Sequence, residues 1–174
     1  MTADEQGGTD TGEQERPGTD EQNRSDSSGP VRRRSRLLFV LAVGVVPWSV
    51  QTFSSGSATL LFSWGLVTPS TVSLTTITDF LFRFTMGLPD YILLWPLGVV
   101  FYLVALASVL SGVLFGREDT RLTAASLVLA GVTQFELARG FSVQPDRTAW
   151  PVGTVLLWAV AGYLYWSHRA ETDR

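Results

Sequence analysis

The sequence predicts an all-α membrane protein with four transmembrane helices, a short ordered outer loop region and a disordered N-terminal tail. Three observations carry this expectation: four long apolar stretches, an arginine excess on one set of their flanks, and tryptophans placed at stretch ends.

The tail comes first. Residues 1–30 hold eight acidic side chains (Asp4, Glu5, Asp10, Glu13, Glu15, Asp20, Glu21 and Asp26) against Arg16 and Arg24. Gly, Thr, Ser, Gln and Pro fill the remainder, so almost nothing apolar is available to offset the entropy of ordering. Disorder is expected over 1–36, a cytoplasmic tail ending in the cluster Arg32, Arg33, Arg34 and Arg36.

The membrane domain, 37–167, has spans at about 37–53, 91–115, 122–141 and 150–167. Lipid offers backbone groups no partners, so each span is read as a helix. The first stretch (LLFVLAVGVVPWSVQTF) is at the short end of the spanning range. The second, at ~1.5 Å per residue, measures roughly 38 Å against a ~30 Å hydrocarbon core and calls for tilt. The third is apolar to Val132 and then carries Gln134, Glu136 and Arg139.

Arginine sets the expected orientation. With the N-terminus inside, the inner flanks hold Arg32, Arg33, Arg34, Arg36, Arg117, Arg121, Arg169 and Arg174, and the outer segments only Arg83, Arg139 and Arg147. Trp48, Trp95 and Trp150 then fall at the outer boundary and Trp166 at the inner one, as interface anchors. The expected location is the cell membrane, multi-pass, with both termini cytoplasmic and 168–174 as a short C-terminal tail. An export signal fits less well: Arg36 follows the twin arginines, no clean cleavage tripeptide follows the apolar run, and three further stretches lie downstream.

Between the first two spans lies the outer loop, 54–90. Its segment 58–67 (ATLLFSWGLV) is too short to span; a strand and a re-entrant turn both fit, and the stretch to Leu74 offers a hairpin partner. Residues 76–84 read as an amphipathic interfacial helix, with Asp79 and Arg83 four apart and Phe80, Phe82 and Phe84 toward the lipid boundary. Gly87, Leu88 and Pro89 end it. Asp79, Arg83 and Trp64 are the candidate interaction residues of this loop.

Several patterns bear on chemistry. Trp95-Pro-Leu-Gly and Trp150-Pro-Val-Gly repeat 55 residues apart, either because helix starts at an interface favour these residues twice or because a two-helix unit was duplicated. Small residues four apart (Ala107 and Ser111, Ser108 and Gly112, Ser126 and Ala130) allow close helix approach. Glu136, Arg139 and Gln134 are the candidate polar groups within a span, with Glu136 and Arg139 placed to pair. Cysteine is absent, which excludes disulfides, thiolate nucleophiles and cysteine metal sites, and the single histidine, His168, lies on a flank. No serine–histidine or intramembrane aspartate pair, phosphate-binding glycine loop or basic–aromatic stripe is present, so catalysis, a cofactor, a metal and nucleic acid are not expected.

The chain resembles an uncharacterised family of small four-span membrane proteins from haloarchaea. The likeness rests on Val46-Pro-Trp, Thr59-Leu-Leu-Phe-Ser-Trp-Gly-Leu, Asp79-Phe-Leu-Phe, Gly87-Leu-Pro, Trp95-Pro-Leu-Gly, Phe115-Gly-Arg-Glu-Asp and Pro151-Val-Gly-Thr-Val-Leu-Leu-Trp-Ala-Val, and covers roughly 36–166. It implies a fold and a saline habitat but no activity. The composition agrees: all thirteen basic residues are arginine and the net charge is −3. The expected role is a non-enzymatic accessory or structural protein. Its partners would be the lipid bilayer and another membrane protein or a second copy. A small transporter or channel subunit using Glu136 is the alternative.

Overall fold

A computed structural model describes residues 28–83, 90–143 and 145–172, with side chains from 33 to 170. Helix α1, Ser28–Val45, ends where the chain meets Pro47, whose ring disfavours a helical conformation in the residue before it. Beyond it the sequence turns β-rich. Strands β1 (Ser49–Phe53), β2 (Ala58–Leu61), β3 (Gly65–Thr68) and β4 (Ser73–Thr76) form an antiparallel meander. Its first turn is made by Gly56 at φ 81°, a conformation glycine adopts without steric cost.

A short helix α2, Ile77–Arg83, follows, and a 3-10 turn at Asp90–Leu93 leads into α3, Leu94–Phe115. Gly116 closes α3 in the left-handed region (φ 72°), its amide donating to the Gly112 carbonyl at 3.1 Å. Three residues on, the Asp119 carboxylate accepts from the amides of Arg121 (3.0 Å) and Leu122 (3.1 Å), an N-cap that starts α4, Thr120–Ser142. Strand β5, Arg147–Trp150, then pairs with β1 through Val50 opposite Trp150, completing a sheet of order β4-β3-β2-β1-β5. Helix α5, Val152–Thr172, leaves directly from it.

The four long helices form a ring in which α1 and α4 each lie between α3 and α5. Val40, Tyr102, Ala105, Leu127, Leu157 and Leu164 fill its centre. The sheet closes one end over a second core of Leu61, Trp95, Leu137, Phe141 and Ala149. Three aromatic side chains at this junction find backbone partners: Trp48 Nε1 donates to the Val43 carbonyl (2.9 Å), Trp95 Nε1 to that of Phe62 (3.0 Å) and Tyr102 Oη to that of Val40 (3.0 Å).

The expected fold class is therefore corrected. The described residues contain five helices and a five-stranded antiparallel sheet, not four spanning helices alone. The first apolar stretch was read as a single span to residue 53, yet its last five residues, SVQTF, are strand β1. Only Asp90–Phe115 is, by length and composition, apolar enough to cross a membrane among the described residues. Helix α4 is diluted by Thr, Ser and Gln, and α5 ends in His168 and Arg169. A multi-pass cell-membrane protein with four spans and both ends cytoplasmic is not supported.

The tail needs a smaller correction. Helix α1 already starts at Ser28, inside the stretch expected to be disordered through residue 36; residues 1–27 lie outside those described, as do the Gly87-Leu-Pro turn and Arg174. The outer loop is two hairpins rather than a re-entrant turn, followed by the expected short helix.

Candidate functional surface

The long helices carry large apolar side chains on their outer faces as well as in their core. On α4, Thr120, Thr123, Ser126, Thr133 and Gln134 are buried beside Leu127, Leu137 and Phe141, while Leu122, Val128, Leu129, Val132 and Phe135 are exposed. Those outer residues recur at three- and four-residue spacing, an apolar stripe that a soluble helix would turn to its core. Helix α3 does the same, presenting Leu97, Val100, Val104, Leu110 and Leu114 outward and burying Gly98, Ser108 and Gly112. On α5, Val155, Trp158, Tyr163, Tyr165 and Trp166 are exposed. Only 28% of the most apolar window of the Asp90–Phe115 helix is buried inside the protein.

The inward hydroxyls are satisfied within the bundle. Thr123 Oγ1 donates to Ser108 Oγ (2.9 Å), Ser108 Oγ to the Asp119 carbonyl (3.2 Å), Thr133 Oγ1 to that of Ala130 (2.8 Å) and Thr154 Oγ1 to that of Gly131 (3.1 Å). The Thr123 and Thr154 bonds bridge neighbouring helices and that of Thr133 stays within α4, and small residues allow the helices to approach closely.

Away from the sheet, the bundle ends in arginine. Arg36 is buried and reaches Glu118 Oε1, Thr120 Oγ1 and Ser167 Oγ, each at 3.4 Å, and so ties α1 to the α3–α4 turn and to α5. Arg33 Nη1 donates to the Gly112 carbonyl at 3.3 Å. Arg117 and Arg121 project outward beside them. At the sheet end, Arg147 lies over the rings of Phe53 (4.9 Å) and Phe141 (5.3 Å).

The residues singled out in the sequence scatter over this frame. Arg139 Nη1 sits 3.2 Å from Glu136 Oε1, on the exposed side of α4 near the sheet; with Arg139 67% and Glu136 45% exposed, neither faces the bundle interior. Gln134 is wholly buried against Gly98, and neither its amide nitrogen nor its oxygen has a hydrogen-bond partner. Asp79 and Arg83 lie 3.9 Å apart on exposed α2, and Trp64 stacks on Phe62 at 4.8 Å, half exposed. The four tryptophans divide. Trp48 and Trp95, expected as interface anchors, are core residues, while Trp150 and Trp166 are exposed.

The Trp-Pro-x-Gly repeat thus has two settings, a buried helix start at Trp95 and an exposed strand end at Trp150. The sequence places Arg36 in a charge cluster and after twin arginines, and neither setting marks it as a tie between helices. The signal for its role was Glu118, a carboxylate in a turn otherwise read for its arginines.

Two surface grooves flank α4. One, about 350 Å³, lies toward the sheet and is lined by Phe135, Ala138, Arg139, Ser142, Val143 and Pro151 among others. The other, about 630 Å³, runs between α4 and α5 toward the arginine end. Among the described residues, no group of three or more His, Cys, Asp or Glu could hold a metal ion.

Fold and surface define the class: a small α+β protein, a four-helix ring capped by an antiparallel sheet, with an apolar exterior and a basic end. The chain belongs to the family described as Domain of unknown function (DUF8050), whose model matches residues 17–174. Comparison with curated proteins finds no match.

Proposed function

We propose that the protein is a non-enzymatic accessory protein that seats its apolar exterior in a lipid bilayer and holds a partner there. The apolar outer faces carry the proposal. Leaving a Leu, Val or Phe side chain in water forgoes ~1.5–3 kcal/mol relative to burying it, and α3, α4 and α5 each expose several large apolar residues. Hydrocarbon removes that cost, while the satisfied inward hydroxyls need no solvent. Among the described residues, Asp90–Phe115, which contains α3, alone meets the length and apolarity of a crossing; the neighbouring faces need only lie beside it against hydrocarbon chains. Arginines at the far end suit anionic headgroups.

Lysine absence and the net charge of −3 support a saline, haloarchaeal setting, in which screening weakens exposed charge pairs. The transporter alternative draws no support from Glu136, which is half exposed and paired with Arg139.

Vesicle flotation of the full chain tests the proposal. It should rise with phosphatidylcholine vesicles, and Val100→Glu with Val132→Glu should abolish this. Mild-detergent affinity purification would then identify the partner. A monodisperse, detergent-free protein that stays at the bottom of the gradient would sink the reading.

A further inference from the structure

We propose that the groove between α4 and α5 holds one hydrocarbon chain of an anionic phospholipid, with the Arg121 guanidinium on its phosphate. This rests on the reading that the exterior meets lipid, and goes beyond it by naming the lipid class and its seat.

The groove has a floor, a stop and a charged mouth. Ala124 and Ala125 on α4 and Ala161 and Gly162 on α5 form the floor, where no side chain extends past Cβ. A Cβ built on Gly162 would meet nothing within 4 Å, so the space over it is open. The stop is Trp158, whose indole lies across to α4, packs over Gly131 and donates from Nε1 to the Val128 carbonyl at 3.1 Å. Tyr165 and Arg121 stand at the other end. Seven residues separate Arg121 from Val128 and Trp158 from Tyr165, giving a trough ~10 Å long at ~1.5 Å per residue.

Shape favours a chain over a helix. A packed helix needs an interaxial distance of about 8–10 Å over small residues on both sides. Here Trp158 and Tyr165, both exposed, rise from the same wall and hold a second backbone away from the floor. A single flexible chain fits between them.

Charge selects the headgroup. The Arg121 side chain is exposed and has no hydrogen bond or ion pair among the described residues. Its nearest carboxylates in sequence are engaged: Glu118 with Arg36, and Asp119 with the amides that start α4. The 350 Å³ groove on the same helix supplies the contrast, because its arginine, Arg139, is already neutralised by Glu136. Two apolar grooves therefore differ in having a free cation, and the free cation stands where the basic end of the bundle would meet headgroups.

The test uses native mass spectrometry of the detergent-purified full chain titrated with phosphatidylglycerol or phosphatidylcholine. Flotation of every variant is run alongside. The wild-type protein should retain one phosphatidylglycerol in preference to phosphatidylcholine. Arg121→Gln should weaken retention about tenfold, as expected for the loss of one charge-assisted contact, and Gly162→Leu should remove it by filling the floor. Arg139→Gln should change nothing. Equal phosphatidylglycerol retention by wild type and Arg121→Gln, with all proteins still floating, overturns the groove and leaves the lipid reading standing. A dimer lost on Gly162→Leu, with no bound lipid, likewise overturns it in favour of a second copy. Failure of the wild type to float overturns both. If Gly162→Leu does not fold, Arg121→Gln, a change at an exposed side chain, decides alone.

Discussion

Replacing Arg36 by methionine should be among the most damaging single changes in the bundle. The Arg36 and Glu118 side chains are only 9% and 6% exposed, and the guanidinium also reaches Thr120 and Ser167. Methionine keeps the bulk but strands a carboxylate out of water, a loss of about 3–5 kcal/mol for breaking a buried pair. The 3.4 Å separation is longer than a strong charge-assisted bond, which points to the lower half of that range. Against a typical total stability of 5–15 kcal/mol, ~3 kcal/mol is a large fraction. The double variant Arg36→Met with Glu118→Leu should recover most of it, because both desolvation penalties vanish together. Denaturant unfolding in constant detergent, followed by the fluorescence of buried Trp48 and Trp95, reads all four corners of the cycle. Single losses below ~1 kcal/mol, or losses that simply add in the double variant, would refute the reasoning.

Gln134→Met should raise stability by about 1–2 kcal/mol in the same unfolding assay, since it removes two unpartnered amide atoms from the core at similar volume; a fall would show that the amide has a partner. Gly153→Val should cost about 1–3 kcal/mol, because even its Cβ would lie 2.5 Å from the Trp48 Cα and 2.8 Å from the Trp48 carbonyl oxygen; an unchanged midpoint would contradict this. Glu136→Gln with Arg139→Gln should shift stability by less than ~1 kcal/mol, as expected for an exposed pair, and a larger loss would give the pair a structural weight its exposure denies.

Helices α3, α4 and α5 were legible in the sequence because long apolar runs read the same whatever surrounds them, whereas α1 lies eight to nine residues before its expected stretch. Helix α3 matches its expected stretch closely, and the α3–α4 turn falls at the expected Gly-Arg-Glu-Asp. The sheet was half legible: residues 58–74 carried a hairpin signal, but β1 and β5 did not. Ser49–Phe53 continues an apolar run, so a window tuned to hydropathy absorbed it, and Arg147–Trp150 has only four residues, too few for alternation to show. Burial was illegible for a different reason. Tryptophan at the end of an apolar run looks the same whether its neighbour is a headgroup or a sheet, and only the Leu61 carbonyl accepting from the Trp48 amide at 2.6 Å shows that Trp48 meets a sheet.

The pairing of β1 with β5 sets an order of events on the ribosome. Strand β1 emerges early with β2 beside it, yet its outer edge has no partner until Arg147–Trp150 is made, with α3 and α4 synthesised in between. Ring closure over so long a loop is slow and yields its contacts only at the end. Until then β1 presents unpaired amides and carbonyls, the kind of edge on which other chains nucleate. A nascent or truncated chain stopping before residue 147 would carry that sticky edge permanently. The sheet thereby hides the open edge of β1 only in chains translated through Trp150.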